Sequence, residues 1–262
     1  VVQVNQVLTE EHNSEGYVIT FDDITDLIQV QKKATWSDVA RRIAHEVKNP
    51  LTPILLSTER LNDKFLPQIQ EGKETFQKYV ETISRQVRHV RDLINEFSEF
   101  ARMPSPKFVE YNVTDVCQSV IQLYKTAYPR IEFNVLDTVK SPFIFIDPEQ
   151  IERALSNLVK NSAEILQNSD NTEPTVNLLI QQGEEEIIDL IIEDNGPGFP
   201  GGDYEKLLDP YVSYKEMGTG LGLAIVKKTM EEHGGKIILS TSSLGGASVC
   251  LRFFKKNDKI HQ

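Results

Sequence analysis

Four short clusters hold the residues whose types and spacing could do chemistry. The first is His45-Glu46-Val47-Lys48-Asn49-Pro50. A neutral imidazole on an exposed helix face is a nucleophile suited to attack at phosphorus. Glu46, roughly 100° further round such a helix, could orient the ring or take its proton during attack. Asn49 stands one turn beyond His45 and could position a water beside a phosphorylated imidazole. Taken alone, a single exposed histidine is equally a solvated side chain. The second cluster is Asn157 and Asn161, an i, i+4 pair on a face that Glu164 continues. An amide carbonyl is a hard oxygen of the kind Mg²⁺ accepts, because that ion takes few protein ligands and adds phosphate oxygens. Two asparagines on a helix also make an ordinary polar surface.

The third cluster, Asp194-Asn195-Gly196-Pro197-Gly198, follows a run of near-continuous apolar character. A carboxylate at a strand end can accept a hydrogen bond from an exocyclic amine. Gly196 and Gly198 would let the backbone pass close to a flat ligand. The same five residues also make a good turn. The fourth, Gly218-Thr219-Gly220-Leu221-Gly222-Leu223, opens a helix. Glycines there present backbone N–H groups to an anion, aided by the helix dipole. No Gly-Lys-Ser/Thr follows, so this is not a Walker loop. No strand leads directly into it and no acidic residue follows at the proper offset, so it is not a dinucleotide fingerprint. Between the two glycine clusters, residues 199–217 form a polar loop long enough to act as a lid, and Lys215 within it could reach a terminal phosphate.

The elements that position these clusters follow from periodicity. Residues 30–65 read as a long helix. Ala40, Ile43, Val47, Leu51 and Ile54 fall on one stripe, and Arg41, His45, Asn49 and Thr52 form a column roughly 150° away. Pro50 and Pro53 sit inside it, each removing a donor, and a bend is expected there. A turn spans Leu66 to Lys73. In residues 75–101, Phe76, Val80, Ile83, Val87, Val90, Ile94, Phe97 and Ala101 recur at alternating steps of four and three. That is a heptad seam. Two antiparallel helices alone would leave the seam from Val80 to Ile94 exposed. Pairing with a second copy into a four-helix bundle covers it.

Met103-Pro104-Ser105-Pro106 breaks the second helix and marks a boundary. Beyond it the pattern is mixed. A helix capped by Thr114 runs to Ala127, and strands follow at 130–136 and 143–146. Asp147-Pro148 opens a helix ending near Leu166, with strands at 176–181 and 187–193 after it. A helix from Gly220 to Glu232 and a hairpin across 236–240 and 247–254 complete the chain. Before all of this, residues 1–28 alternate like two strands around the turn residues Asn13, Ser14 and Gly16.

A chain of 262 residues suits two domains. Its net charge of −11, with no basic stripe to offset it, opposes nucleic-acid binding. Cys117 and Cys250, far apart in sequence, make neither a disulfide framework nor a zinc site. They read as two buried reduced thiols in a cytoplasmic setting. No apolar run is long enough to span a membrane, so no membrane contact is expected of this piece. The chain begins at Val1 rather than Met, as expected of a fragment whose membrane anchor lies in the missing part.

The clusters in their order resemble the boxes of two-component sensor histidine kinases over about residues 30 to 254. His45 to Pro50 resembles the H-box, Asn157 and Asn161 the N-box, and Asp194, Gly196 and Gly198 the first G-box. Leu208-Asp-Pro-Tyr-Val212 resembles the F-box, and Gly218 to Gly222 the second G-box. Thr52-Pro53-Ile54 and Asn161-Ser-Ala-Glu164 resemble the nitrogen-regulation branch, NtrY-type. Gly16 to Thr25 is similar to the last strand of a PAS sensor domain.

The resemblance implies a PAS-like remnant at 1–29 and a dimerising phosphotransfer hairpin at 30–103. An α/β sandwich of the histidine kinase, Hsp90 and gyrase type would fill 107–256. It implies that ATP phosphorylates His45 and that the phosphoryl group passes to the receiver domain of an NtrX-like response regulator. Asp194 would hold adenine, Asn161 Mg²⁺, and Gly218, Thr219, Gly220, Leu221 and Gly222 the phosphates. The full protein would sit in a bacterial inner membrane. Tyr211 stands where the family usually has Phe, and Ser213-Tyr214-Lys215 where it often has Thr-Thr-Lys. A gyrase-type ATPase has no need of the H-box hairpin, and a dead scaffold has no need of intact boxes. Removal of phosphate from the partner remains open as a second activity.

Overall fold

The hydrophobic period changes character near residue 102, and so does the architecture. The computed structural model divides into two units, Val1–Arg102 and Met103–Gln262. It describes residues 2–8, 14–21, 25–102, 104–139, 142–183, 187–201, 204–214 and 218–254.

In the first unit, β1 (Val2–Leu8) pairs antiparallel with β2 (Ser14–Phe21), placing Val4 opposite Ile19. The helix α1 covers Thr25–Phe65 and α2 covers Lys73–Arg102, joined by a short 3-10 turn at Leu66–Gln68. The strand thus ends at Phe21 rather than Thr25, and the helix starts at Thr25 rather than near residue 30. Helix α1 continues through Pro50 and Pro53, both exposed, so the carbonyls that lose their donors can be hydrated.

Small and polar side chains fill the contact between the two helices. Ala40, Ala44, Thr58, Val80 and Ser84 are buried. The Thr58 hydroxyl donates to the Ile54 carbonyl at 2.6 Å, which satisfies it inside the hairpin. Val80 therefore belongs to the intrahairpin contact and not to the open seam. Ile43, Ile54, Leu61, Ile83 and Val90 stay exposed, Ile83 at 47%. The α1 stripe is split accordingly, with Ala40 packed and Ile43 and Ile54 open.

The second unit runs β3 (Val109–Asn112), α3 (Val113–Ala127), β4 (Glu132–Asp137), β5 (Phe143–Ile146), α4 (Pro148–Gln167), β6 (Thr175–Gln182), β7 (Ile187–Asp194), α5 (Gly222–Glu232), β8 (Lys236–Thr241) and β9 (Ala247–Phe254). Five strands form one sheet in the order β4-β6-β7-β9-β8, parallel only between β4 and β6. Alternation decides its two faces. Ile188, Leu190 and Ile192 of β7 are buried with Leu178 and Ile180 of β6 and Leu251 and Phe253 of β9. Ile151, Leu155, Leu158 and Val159 of α4 and Val226 and Met230 of α5 join the same core. Each such side chain contributes about 1.5–3 kcal/mol by leaving water.

Three local features differ from the sequence expectation. Strand β3 is absent from that expectation and pairs antiparallel with β5, Val109 opposite Ile146. Four residues of mixed type are too short to show a period. Helix α3 is capped by Asn112, whose side chain accepts from the Thr114 N–H at 3.0 Å, so Thr114 receives the cap rather than supplying it. Helix α5 begins at Gly222, leaving Gly218 to Leu221 as the loop that leads into it.

Candidate functional site

Helix α1 places Ala44 against α2 and the next residue, His45, in solvent. Glu46 and Asn49 lie on the same unbroken helix, both exposed. A ring on this face can be approached by another molecule, and Asn49 follows one turn later, as the column of residues requires.

In the second unit, α4 joins the other clusters. Asn157 and Asn161 are half-buried on it. The Nδ2 atom of Asn157 is buried without a hydrogen-bond partner. Asn161 reaches the second glycine cluster: a Cβ added at Gly222 would lie 3.4 Å from its Nδ2. The neighbouring Ser162 reaches the first cluster, its hydroxyl donating to Oδ2 of Asp194 at 2.7 Å.

Asp194 ends β7 and is only 2% exposed. Its Oδ1 accepts from the Gly196 N–H at 3.0 Å and from the Ala247 N–H at 3.1 Å. With Ser162 on the other oxygen, both oxygens of the carboxylate are held. Gly246 makes this possible, because a side chain there would run into Asp194 and the Gly196 nitrogen. Gly198, at φ +77° in the loop after β7, passes close to the Gly246 carbonyl of the turn between β8 and β9. Asn195 serves the loop after α4 instead. Its side chain accepts from the Thr175 N–H and donates to the Glu173 carbonyl, which pins that loop to the end of β7.

The second glycine cluster is braced by the segment before it. Gly220, at φ +69°, lies so close to Tyr211 and Val212 that a Cβ would come within 2.5 Å of the Tyr211 carbonyl carbon. The Tyr211 N–H donates to the Gly220 carbonyl at 3.0 Å. Tyr211 itself has φ 68°, a region costly for a side-chain-bearing residue, and the residue is 64% exposed. Thr219 Oγ1 accepts from the Leu221 N–H, and the Leu221 side chain is buried in the fold rather than turned to a ligand. Lys215 lies outside the described residues.

Sequence reasoning assigns no role to Ser162, Gly246, Ala247 or His233, and marks Tyr211 only as a departure from the family's usual Phe. Ser162 follows Asn161 directly, which is its one signal. His233 is buried. Its Nε2 accepts from the Asp147 N–H at 3.0 Å, so the ring proton sits on Nδ1, which faces the Thr229 carbonyl at 2.8 Å. Burial pushes its pKa below the ordinary 6.5, against the opposing pull of that carbonyl and the Asp147 carboxylate. The two thiols are inert: burial pushes Cys117 and the half-buried Cys250 each up to about 12. Among the described residues no three His, Cys, Asp or Glu side chains form a metal cluster, and no helix is long and apolar enough to cross a membrane.

A helical hairpin with an exposed histidine, followed by a mixed sheet whose Asn-bearing helix touches two glycine clusters, defines a phospho-acceptor unit and an ATPase-type unit. Comparison with known proteins agrees. Residues 35–106 match the His Kinase A (phospho-acceptor) domain, and residues 146–257 match the histidine kinase-, DNA gyrase B- and HSP90-like ATPase. The nitrogen regulation protein NtrY of Azorhizobium caulinodans is 41% identical over 248 residues, covering 91% of this chain and 31% of that protein. A putative sensor histidine kinase, NtrY-like, of Rickettsia bellii is 37% identical over 87% of this chain and 37% of its own length. The solved structure of histidine kinase ThkA with the response regulator protein TrrA has a similar fold (TM-score 0.62, 22% identity, 98% of this chain and 75% of that one). The chain belongs to the sensor histidine kinase family, on its NtrY-type branch. It spans about a third of the length of the curated relatives it matches, 31% and 37% of the two named here.

Proposed function

We propose that this chain is the kinase core of a two-component sensor: it binds Mg²⁺-ATP, phosphorylates His45, and passes the phosphoryl group to an aspartate of a receiver domain, NtrX-like on this branch. The observation that carries the reading is on α4. Two consecutive residues, Asn161 and Ser162, touch the second and first glycine clusters, so one rigid helix sets the distance between a base-binding end and a phosphate-binding end. Asp194 is the acceptor for the adenine amine. The loop from Gly218 to Gly222 is assigned to the phosphates at the start of α5. The unpartnered Asn157 amide fits a donor to a ligand oxygen. Mg²⁺ would be held by Asn161 together with phosphate oxygens, which suits a site with few protein ligands, and it would neutralise charge on the transferring group. Lys215 is assigned to the terminal phosphate.

At His45 a ring nitrogen attacks the γ-phosphorus, the bond to the β,γ-bridging oxygen breaks, and ADP leaves. Glu46 takes the proton displaced from the ring. Residues 30–103 dimerise through the open stripe of Ile43, Ile54, Leu61, Ile83 and Val90, which gives the four-helix bundle. Residues 107–256 are the catalytic ATP-binding domain. Residues 1–29 are the end of a PAS-like sensor domain, and the longer protein is anchored in the inner membrane with this part in the cytoplasm. A second activity, removal of phosphate from the partner, rests on the exposure of Asn49 one turn beyond His45.

The test is incubation with γ-labelled ATP and Mg²⁺. The wild-type chain gains acid-labile, base-stable phosphate that a receiver domain removes, and His45→Ala gains none. Acid-labile label on His45→Ala would refute the assignment.

A further inference from the structure

Ser162 lies on α4 beside Asn161, and the proposed chemistry leaves it without a part. Its hydroxyl is buried and points at Oδ2 of Asp194, 2.7 Å away. A carboxylate oxygen accepts only, so the Ser162 proton is committed to it. The hydroxyl cannot turn to donate elsewhere without breaking a charge-assisted hydrogen bond. Its own lone pairs therefore stand beside those of Oδ2. The other oxygen, Oδ1, is fixed by the Gly196 and Ala247 N–H groups and cannot exchange places with Oδ2. The outcome is a short row of acceptors, Oδ2 and Oγ, held from three sides.

We propose that Ser162 is a positioning residue that, by locking Oδ2 of Asp194 and presenting only acceptor lone pairs, makes the site take a 6-amino purine and refuse a 6-oxo purine. The inference rests on the proposed role of Asp194 toward adenine. An exocyclic amine offers hydrogens to such a row. In the same pose a guanine carbonyl places a further acceptor against it, and the three donors that hold the carboxylate are already committed. Without Ser162, the carboxylate is held on one oxygen only. Oδ2 then turns more freely, and water can take the vacated place and donate to a carbonyl.

The experiment is equilibrium titration of the whole chain with ATP and with GTP, alongside thermal melting without nucleotide. Ser162→Ala is expected to weaken ATP about 3- to 10-fold, the size of one hydrogen bond, while GTP moves less, so the ATP preference falls by a similar factor. Ser162→Thr keeps the hydroxyl and is expected to keep the preference. Ser162→Cys, close in volume with a weak donor, gives the same test if the alanine variant does not fold. An unchanged ATP-to-GTP ratio in Ser162→Ala, or an equal loss for both nucleotides, overturns the proposal. Asp194→Asn separates the two ideas. If that variant loses the preference and Ser162→Ala does not, the Ser162 role alone fails. If Asp194→Asn keeps the preference, the role of Asp194 fails and the Ser162 role with it.

Discussion

Asp194→Ala and Asp194→Asn remove the same charge but should do different things, and the hydrogen bonds around the carboxylate set the size of each effect. Three donors converge on it: the half-buried N–H groups of Gly196 and Ala247 and the buried hydroxyl of Ser162. Alanine leaves all three without their acceptor. At about 1–3 kcal/mol for an unsatisfied buried group, the Ser162 hydroxyl carries the main cost, and the two half-buried N–H groups add less because water can reach them. A domain's whole stability is about 5–15 kcal/mol, so alanine is expected to lower the melting temperature as well as weaken nucleotide binding. Asparagine keeps the shape. Its carbonyl must take the place of Oδ1, because the opposite flip would set its NH₂ against two N–H donors. Its NH₂ then stands where Oδ2 was, and Ser162 turns its hydroxyl to accept. The adenine amine now meets a donor, and losing a charge-assisted hydrogen bond of about 1.5–3 kcal/mol weakens ATP about 10- to 150-fold. A guanine carbonyl meets that donor favourably, so GTP should gain relative to ATP. Competitive nucleotide titration and thermal melting read both effects. Asparagine with wild-type ATP preference would refute adenine recognition by Asp194, and alanine as stable as wild type would refute the hydrogen-bond accounting.

The remaining predictions concern the hairpin and α5. Ile83→Glu places a charge on the open stripe and removes about 1.5–3 kcal/mol of burial per copy in a dimer; light scattering should show a shift toward the 29.8 kDa monomer. Asn49→Ala should slow dephosphorylation of the phosphorylated receiver more than it slows labelling of His45; equal slowing would mean the residue only shapes the helix. His233 is pushed below 6.5 by burial in the folded chain, so the unfolded chain binds a proton first. Its contribution is fully present above the unfolded value and is lost as pH falls through the lower folded value. Urea midpoints measured between about pH 7.5 and 5 should therefore fall more steeply for wild type than for His233→Gln, and parallel curves would count against it.

Much of this protein is written locally. The heptad steps from Phe76 to Ala101, the Asp147-Pro148 helix start and the alternation along β7 each lie within one element, so backbone period alone reveals them. The exposure of His45 follows in the same way from its angle to the stripe of Ala40, Val47 and Leu51 on one helix. Glycine clusters are visible because few other residues tolerate the backbone they need. Even so, the local signal stops short at the ends of elements. Helix α1 starts at Thr25, α5 starts at Gly222 and β3 carries no period of its own, because ends and four-residue strands are set by what pairs with them.

Only the tertiary structure joins residues that sequence keeps apart. Ser162 meets Asp194 across 32 positions, Ala247 meets it across 53, and His233 meets Asp147 across 86. Val80 shows the same limit inside the hairpin. Its place in the heptad calls for an apolar partner but cannot say whether that partner is α1 or a second chain. A hydrogen bond or a packed face needs two groups at a set distance and direction, and chain period fixes only one of them. The geometry of Asp194 is therefore a property of how β7, α4 and the β8–β9 turn come together, while its presence at a strand end is a property of the sequence.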